Sequence, residues 1–261
     1  MNIQRIYAII LRHSIPTFRD AMRIADAFYW PLIDITMFGF IAIWTQEKML
    51  SSSFMIGLLT CIACWYLVQR SGLEIGRNLL IEIWDGNLTN LFATPLSLSE
   101  LMAALMSLGF IQAIVTFVYS LTIIWIFYAQ NVFLIIPSLL PFIILFICSG
   151  WIIGFIVASI IFLFGRTIDT FAWAVLWFFA IICGAFNPVK FYPLWLQQIS
   201  YLLPLTYLFE GVREMILYNN SPTPYLRTAS VLTIIYFVLT YGLLTWAFSK
   251  SRKKGLAQLT S

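Results

Sequence analysis

The chain has 261 residues, 61% of them hydrophobic and 10% charged, with a formal net charge of +4. Soluble domains carry about a quarter charged residues and about half apolar ones, so no charged shell can be wrapped round a single core here and lipid must be the main solvent. The cations stand at the ends of apolar runs and form no patch, which sets a nucleic-acid partner aside.

Residues 1–27 hold Arg5, Arg12, Arg19 and Arg23 and are expected to be a cytoplasmic interfacial segment. No cleavable signal appears, because the apolar stretch 6–11 is too short and is followed by His13, Pro16 and Arg19. A crossing helix needs about 20 apolar residues. Residues 28–44 give the first span and 54–68 the second, joined by a turn with Glu47, Lys48 and serines. Residues 70–100 are too charged to lie in lipid and read as a cytoplasmic hairpin. Its first helix runs over 73–84, with Leu79, Leu80 and Ile83 on one stripe and Glu82 and Asp85 offset from it. Gly86 ends that helix, and Leu88, Leu91 and Phe92 form a second apolar stripe before Pro95. Exposed leucines flanked by carboxylates suit docking into a cleft on another protein; the alternative is that they lie against the membrane surface.

Between Glu100 and Arg166 there is no charged residue, and one helix that long would reach roughly 95 Å, about three bilayers. The run must fold back at residues 129–131, giving spans 101–128, opened by a Ser97–Glu100 capping box, and 137–164. Small residues Gly150, Gly154 and Ala158 recur every fourth position on the latter and predict close helix packing, within or between subunits. A fifth span covers 170–186 and the last 229–248. Residues 192–217 between them carry Pro193, Pro204, Glu210, Arg213 and Glu214, and are read as short helices dipping into the outer leaflet, with the charges at the interface.

Six spans put both termini on one side. Arg5, Arg12, Arg19, Arg23, Arg70, Arg77, Arg166 and the basic tail at 249–261 share that side, against Lys48, Lys190, Arg213 and Arg227. This asymmetry places both termini in the cytoplasm. Cysteines set at Ser221 and Ser251 should therefore report opposite faces. Residues 28–248 form the core of a single transmembrane domain.

Much chemistry has no residues to carry it. His13 is the only histidine, so an intramembrane Ser-His pair, a histidine-ligated haem and an H-E-x-x-H site are excluded. None of the 13 glycines precedes a lysine, so no phosphate-binding loop is present, and no metal or other cofactor site is expected. Asp34 reads as a structural carboxylate paired with Arg23 or Arg166. Cys61 and Cys64 have C-x-x-C spacing but sit in mid-span with no cation to hold a thiolate, and read as small packing residues.

Three segments in this order resemble the ABC exporter permeases of the second type. Arg19, Asp20 and Arg23 leading into Tyr29-Trp30-Pro31 look like that family's interfacial helix. The stretch from Asp85-Gly86-Asn87-Leu88 to Leu91-Phe92-Ala93-Thr94-Pro95-Leu96-Ser97 is similar to its acidic-Gly segment between spans two and three, which faces the ATPase. Asn87 and Asn90 replace the usual Thr and Glu. Pro193, Trp195, Leu203-Pro204, Tyr207, Glu210 and Arg213 look like its outer re-entrant helices, with Leu203 where Asn is common.

The resemblance covers essentially the whole chain. It implies an all-α fold of six transmembrane helices and a homodimer bound to a separate ATP-binding cassette ATPase, which carries ATP and Mg. The chain itself would be no enzyme, and would export an amphipathic, drug-like or lipid-linked substrate across the inner membrane as residues 72–91 move. Two other readings stand beside it: a non-transporting membrane scaffold, and a thiol-redox enzyme using Cys61 and Cys64.

Overall fold

A computed structural model describes residues 2–46, 52–130, 132–165 and 169–254. Glu47, Lys48, Arg166 and tail residues 255–261 lie outside the described residues. The described residues form helices joined by short turns, with no strand among them: α1 (Ile3–Arg19), α2 (Ala21–Gln46), α3 (Ser52–Trp84), α4 (Leu88–Ala93), α5 (Leu98–Tyr128), α6 (Ile136–Phe164), α7 (Asp169–Ile182), α8 (Leu194–Ser200), α9 (Pro204–Tyr218) and α10 (Thr223–Lys254). Among the described residues five helices (α2, α3, α5, α6 and α10) are long and apolar enough to cross a bilayer. Large side chains such as Phe40, Phe110, Ile144, Ile234 and Val238 stand exposed along them. Apolar faces of that extent need lipid. The chain is an all-α, multi-pass membrane protein.

The expected fifth span is the shorter helix α7, which stops at Ile182 rather than at residue 186. Its 14 residues reach roughly 21 Å, less than the hydrocarbon thickness.

The bundle is organised round α3. Sequence reading divides this segment into a span at 54–68 and a separate polar hairpin, but it is one unbroken helix of 33 residues, roughly 50 Å long. It packs chiefly against α6 and α5, with α2 and α9 completing the ring and α10 covering α6. Enclosed by these neighbours, α3 is the most buried of the long helices, its polar side chains included.

Glycine lets the backbones meet. A Cβ on Gly154 would lie 2.9 Å from the Gly72 carbonyl oxygen and 2.8 Å from Ile75, and one on Gly72 would lie 2.6 Å from the Gly150 carbonyl oxygen. Ala158 is buried on the same face of α6. The small-residue row thus packs within the chain.

The turns follow local chemistry. Ser97 and Glu100 form the expected capping box, and Ala129 ends α5 in the left-handed region. At Gly86, with φ +64°, the Asn87 N–H reaches the Glu82 carbonyl at 2.9 Å and the Gly86 N–H reaches Ile83 at 3.0 Å. This Schellman arrangement satisfies the last carbonyls of α3 and turns the chain into α4.

Candidate functional site

Tyr66, Arg70, Glu74, Asn78 and Glu82 recur every fourth residue along α3 and form one polar stripe, each of them buried. A buried charge persists only when it is paired; Tyr66, Arg70 and Glu82 find partners on α1 and α2, and Glu74 finds its own within α3. Tyr66 donates to Asp34 Oδ2 at 2.5 Å. Asp34 is therefore not the partner of Arg23, which instead lies 3.6 Å from Asp20. Asp26 Oδ2 sits between Arg70 at 2.9 Å and Arg77 at 2.7 Å, while Glu74 accepts from Asn78 at 3.0 Å. Arg12 grips Glu82 through Nε at 2.9 Å and Nη2 at 3.0 Å. Beyond the stripe, the Asn2 N–H donates to Glu100 Oε1 at 2.7 Å, and Arg5 reaches the same carboxylate and the Pro95 carbonyl.

These pairs fasten α1 across the ends of α3 and α5. Ile9 and His13 of α1 face inward, while Ile3, Tyr7, Leu11 and Ile15 form an exposed stripe on its other side. Arg19 is exposed at the end of that helix. Sequence reading missed this network because it broke α3 after Val68; the four-residue period of the polar positions is the signal that would have joined the two halves. Arg70 and Arg77, counted as loop cations, are packed against Asp26 within the bundle, which leaves the cations of α1, Arg23 at the start of α2 and the end of α10 among the described residues.

The α3–α4 turn corrects a second expectation. Leu79, Leu80 and Ile83 are buried against the chain itself, and so are Glu82, Leu88 (1% exposed) and Leu91 (6%). The exposed apolar hairpin is absent. What faces outward is Trp84, Asp85, Gly86, Thr89 and Asn90. Phe92 packs on Phe248 of α10 at 4.7 Å between ring centroids, so α1, this turn and the end of α10 share one end of the molecule. Leu88→Asp buries a carboxylate without a partner, and it is expected to destabilise the fold by roughly 3 kcal/mol. Thermal unfolding in detergent would check this: a Leu88→Asp midpoint equal to the parent's would mean that the α4 packing is not as described.

At the opposite end, side chains close the last carbonyls of the α7 region. Tyr192 donates to Ile181 at 2.7 Å and Ser200 to Ile182 at 2.6 Å. Arg213 reaches the Gly184 carbonyl and, at 3.0 Å, that of Ala185, while pairing with Glu210 at 3.1 Å. Glu210 in turn accepts the Val189 N–H at 3.0 Å. Arg213 is thus buried as a lock on the preceding turn, and of the two carboxylates it pairs with Glu210. Pro193 caps α8, Pro204 opens α9, Tyr207 lies 6.0 Å from the Tyr201 ring, and Trp195 is exposed.

Cys61, Cys64 and Cys183 are buried as free thiols. The described residues contain no group of three or more His, Cys, Asp and Glu side chains able to hold a metal.

His13 gives the site a pH dependence. Burial first, then the Arg12 and Arg23 cations, lower its pKa from 6.5 to about 4. The Glu82 carboxylate 3.3 Å away is already held by Arg12. The folded state keeps the imidazole neutral, whereas the unfolded chain binds its proton below about pH 6.5. This contribution to stability is complete above pH 6.5 and is lost as pH falls toward 4. The thermal midpoint should drop across that window, and His13→Gln should flatten the drop.

No family model matches the sequence, and no curated protein matches it.

Proposed function

We propose that the chain is the membrane-spanning permease subunit of an ABC exporter of the second type. It works as a homodimer with a separate ATP-binding cassette ATPase, which holds the ATP and Mg, and it moves an amphipathic, drug-like or lipid-linked substrate out of the cytoplasm. The observation that carries this reading is the order of the three resembling segments along the chain.

Their places in the fold support it. Segment one spans the junction of α1 and α2: Arg19 ends α1, Asp20 stands at the break, and Arg23 and Tyr29-Trp30-Pro31 lie in the first turns of the first long apolar helix. Segment two is the α3–α4 turn, whose outward residues Asp85, Gly86, Thr89 and Asn90 form a polar docking point. Segment three is α8 and α9, two short helices set between α7 and α10. With α7 as a crossing completed by the α8–α9 re-entrant pair, the spans number six. Both termini then lie on the cytoplasmic side of the inner membrane.

Coupling in this reading runs through α3. The helix is unbroken from the turn to the far end, so a push at Trp84 to Leu88 is transmitted along its whole length. The glycine seam obliges α6 to move with it.

Purification of the full-length chain from its own membranes should bring down an ATP-binding cassette ATPase in equimolar amount, with ATP hydrolysis that responds to an amphipathic substrate. Asp85→Arg, on the exposed side of the turn, should release that subunit while leaving the thermal midpoint unchanged. A chain that purifies without an ATPase would sink the proposal.

Topology is tested separately. Ser251 is 5% exposed and makes a poor reporter, so Arg252, which is exposed, replaces it. A cysteine at Ser221 should react with an impermeant thiol reagent from outside, and one at Arg252 only after permeabilisation. Reaction of both from outside would refute six spans.

A further inference from the structure

At the end of the bundle away from the α3–α4 turn, an open cleft of about 230 Å³ is lined by Lys190, Glu210, Arg213, Glu214 and Tyr218, among others. Its formal charges cancel, two cations against two carboxylates. They are not equally engaged, however. Arg213 is buried and spent on Glu210 and on the Gly184 and Ala185 carbonyls. Lys190 stands exposed, its Nζ 5.2 Å from the Phe191 ring centroid, and Glu214 accepts from the exposed Asn220 at 2.9 Å. The cleft therefore offers one cation and one carboxylate to a visitor.

Beside it the surface changes abruptly. Phe191 (74% exposed), Leu194 (78%) and Trp195 (64%) project from the 3-10 turn Val189–Phe191 and the start of α8. Apolar side chains exposed to this degree beside tyrosines are suited to the boundary between headgroups and hydrocarbon. A cleft carrying both charges next to such a surface matches a molecule with a dipolar head and an apolar body.

We propose that this cleft binds the zwitterionic headgroup of a membrane glycerolipid, its phosphate facing Lys190, its primary ammonium between Glu214 and the Tyr218 ring, and its tails along Phe191, Leu194 and Trp195. A purely anionic head would pair with Lys190 but leave the Glu214 carboxylate beside a like charge. A simple cation would leave Lys190 without a counter-charge. The zwitterion matches both groups, and charge-assisted bonds together with the aromatic face give the ammonium its recognition. The site does not depend on the exporter reading, because it needs no ATPase.

Native mass spectrometry of the full-length chain, released from micelles supplied with equal phosphatidylethanolamine and phosphatidylglycerol, tests this. The wild-type chain should retain the former about tenfold over the latter. Glu214→Gln should erase that preference, Lys190→Ala should weaken retention of both lipids, and Lys190→Arg, which keeps the charge, should preserve it. Soluble glycerophosphoethanolamine at equal concentration should displace little of the lipid, since it lacks the tails. Equal retention of the two lipids by the wild-type chain, an unchanged preference in Glu214→Gln, or full displacement by the soluble headgroup would each overturn the proposal.

Discussion

Replacing Gly154 with leucine should prevent the bundle from closing and yield aggregated or poorly extracted protein. The reason lies in the seam between α3 and α6. A β-carbon alone at this position would stand 2.9 Å from the Gly72 carbonyl oxygen and 2.8 Å from Ile75 Cδ1. The first obstacle is backbone and cannot rotate away, and leucine adds three further carbons. The neighbouring Gly150 tells the same story: its added carbon would lie 2.5 Å from the Val68 carbonyl oxygen and collide with the Ser71 hydroxyl.

Overpacking a core costs about 1–3 kcal/mol where side chains can shift, and more is expected where two helix axes must separate. In lipid, helix association rests on close packing, without an aqueous hydrophobic drive to offset the loss. Gly154→Ala should fall between the parent and Gly154→Leu in thermal midpoint. Gly242 on α10 has no heavy atom within 4 Å of its added carbon, so Gly242→Leu serves as the control and should match the parent. Normal assembly of Gly154→Leu beside that control would show that α3 and α6 do not meet as described.

The second large effect is expected at Asp26. Its carboxylate is the shared counter-charge of Arg70 and Arg77, and its main-chain carbonyl accepts from Arg70 at 2.5 Å. Asp26→Asn leaves the buried Arg70 guanidinium without its carboxylate and close to a second cation. Breaking a buried pair from one side costs about 3–5 kcal/mol, because the remaining charge keeps its desolvation penalty and loses its partner. The double variant Asp26→Asn, Arg70→Met removes both charges and should recover most of the loss. Thermal midpoints of the two single variants, the double variant and the parent form a cycle whose coupling term measures the pair. Additive losses, with no recovery in the double variant, would show that the two side chains act independently.

Much of this protein could be read before any coordinates. A charged fraction of 10% and apolar runs of bilayer length determined an all-helical membrane protein, because lipid accepts no other backbone for such segments. The Ser97–Glu100 box, the Gly86 stop and the return between α5 and α6 were legible as well, since each is set by residues within a few positions of one another. The inward packing of Gly150, Gly154 and Ala158 was half legible: the four-residue spacing shows a close-packing face, but not which helix meets it.

Tertiary structure alone decided the rest. A local count of charges splits α3 after Val68, since Arg70, Glu74 and Glu82 look too costly to bury. The helix runs on because Asp26, Arg77 and Arg12, up to 70 residues away in sequence, neutralise them. Leu88 and Leu91 look free for a partner in sequence, yet α4 folds back and buries them. Arg213 looks like a balance for two nearby carboxylates, yet it is buried on the carbonyls that end the α7 region. In each case the energy of a charge or an apolar side chain depends on what stands across from it, and that is settled only when the helices have packed.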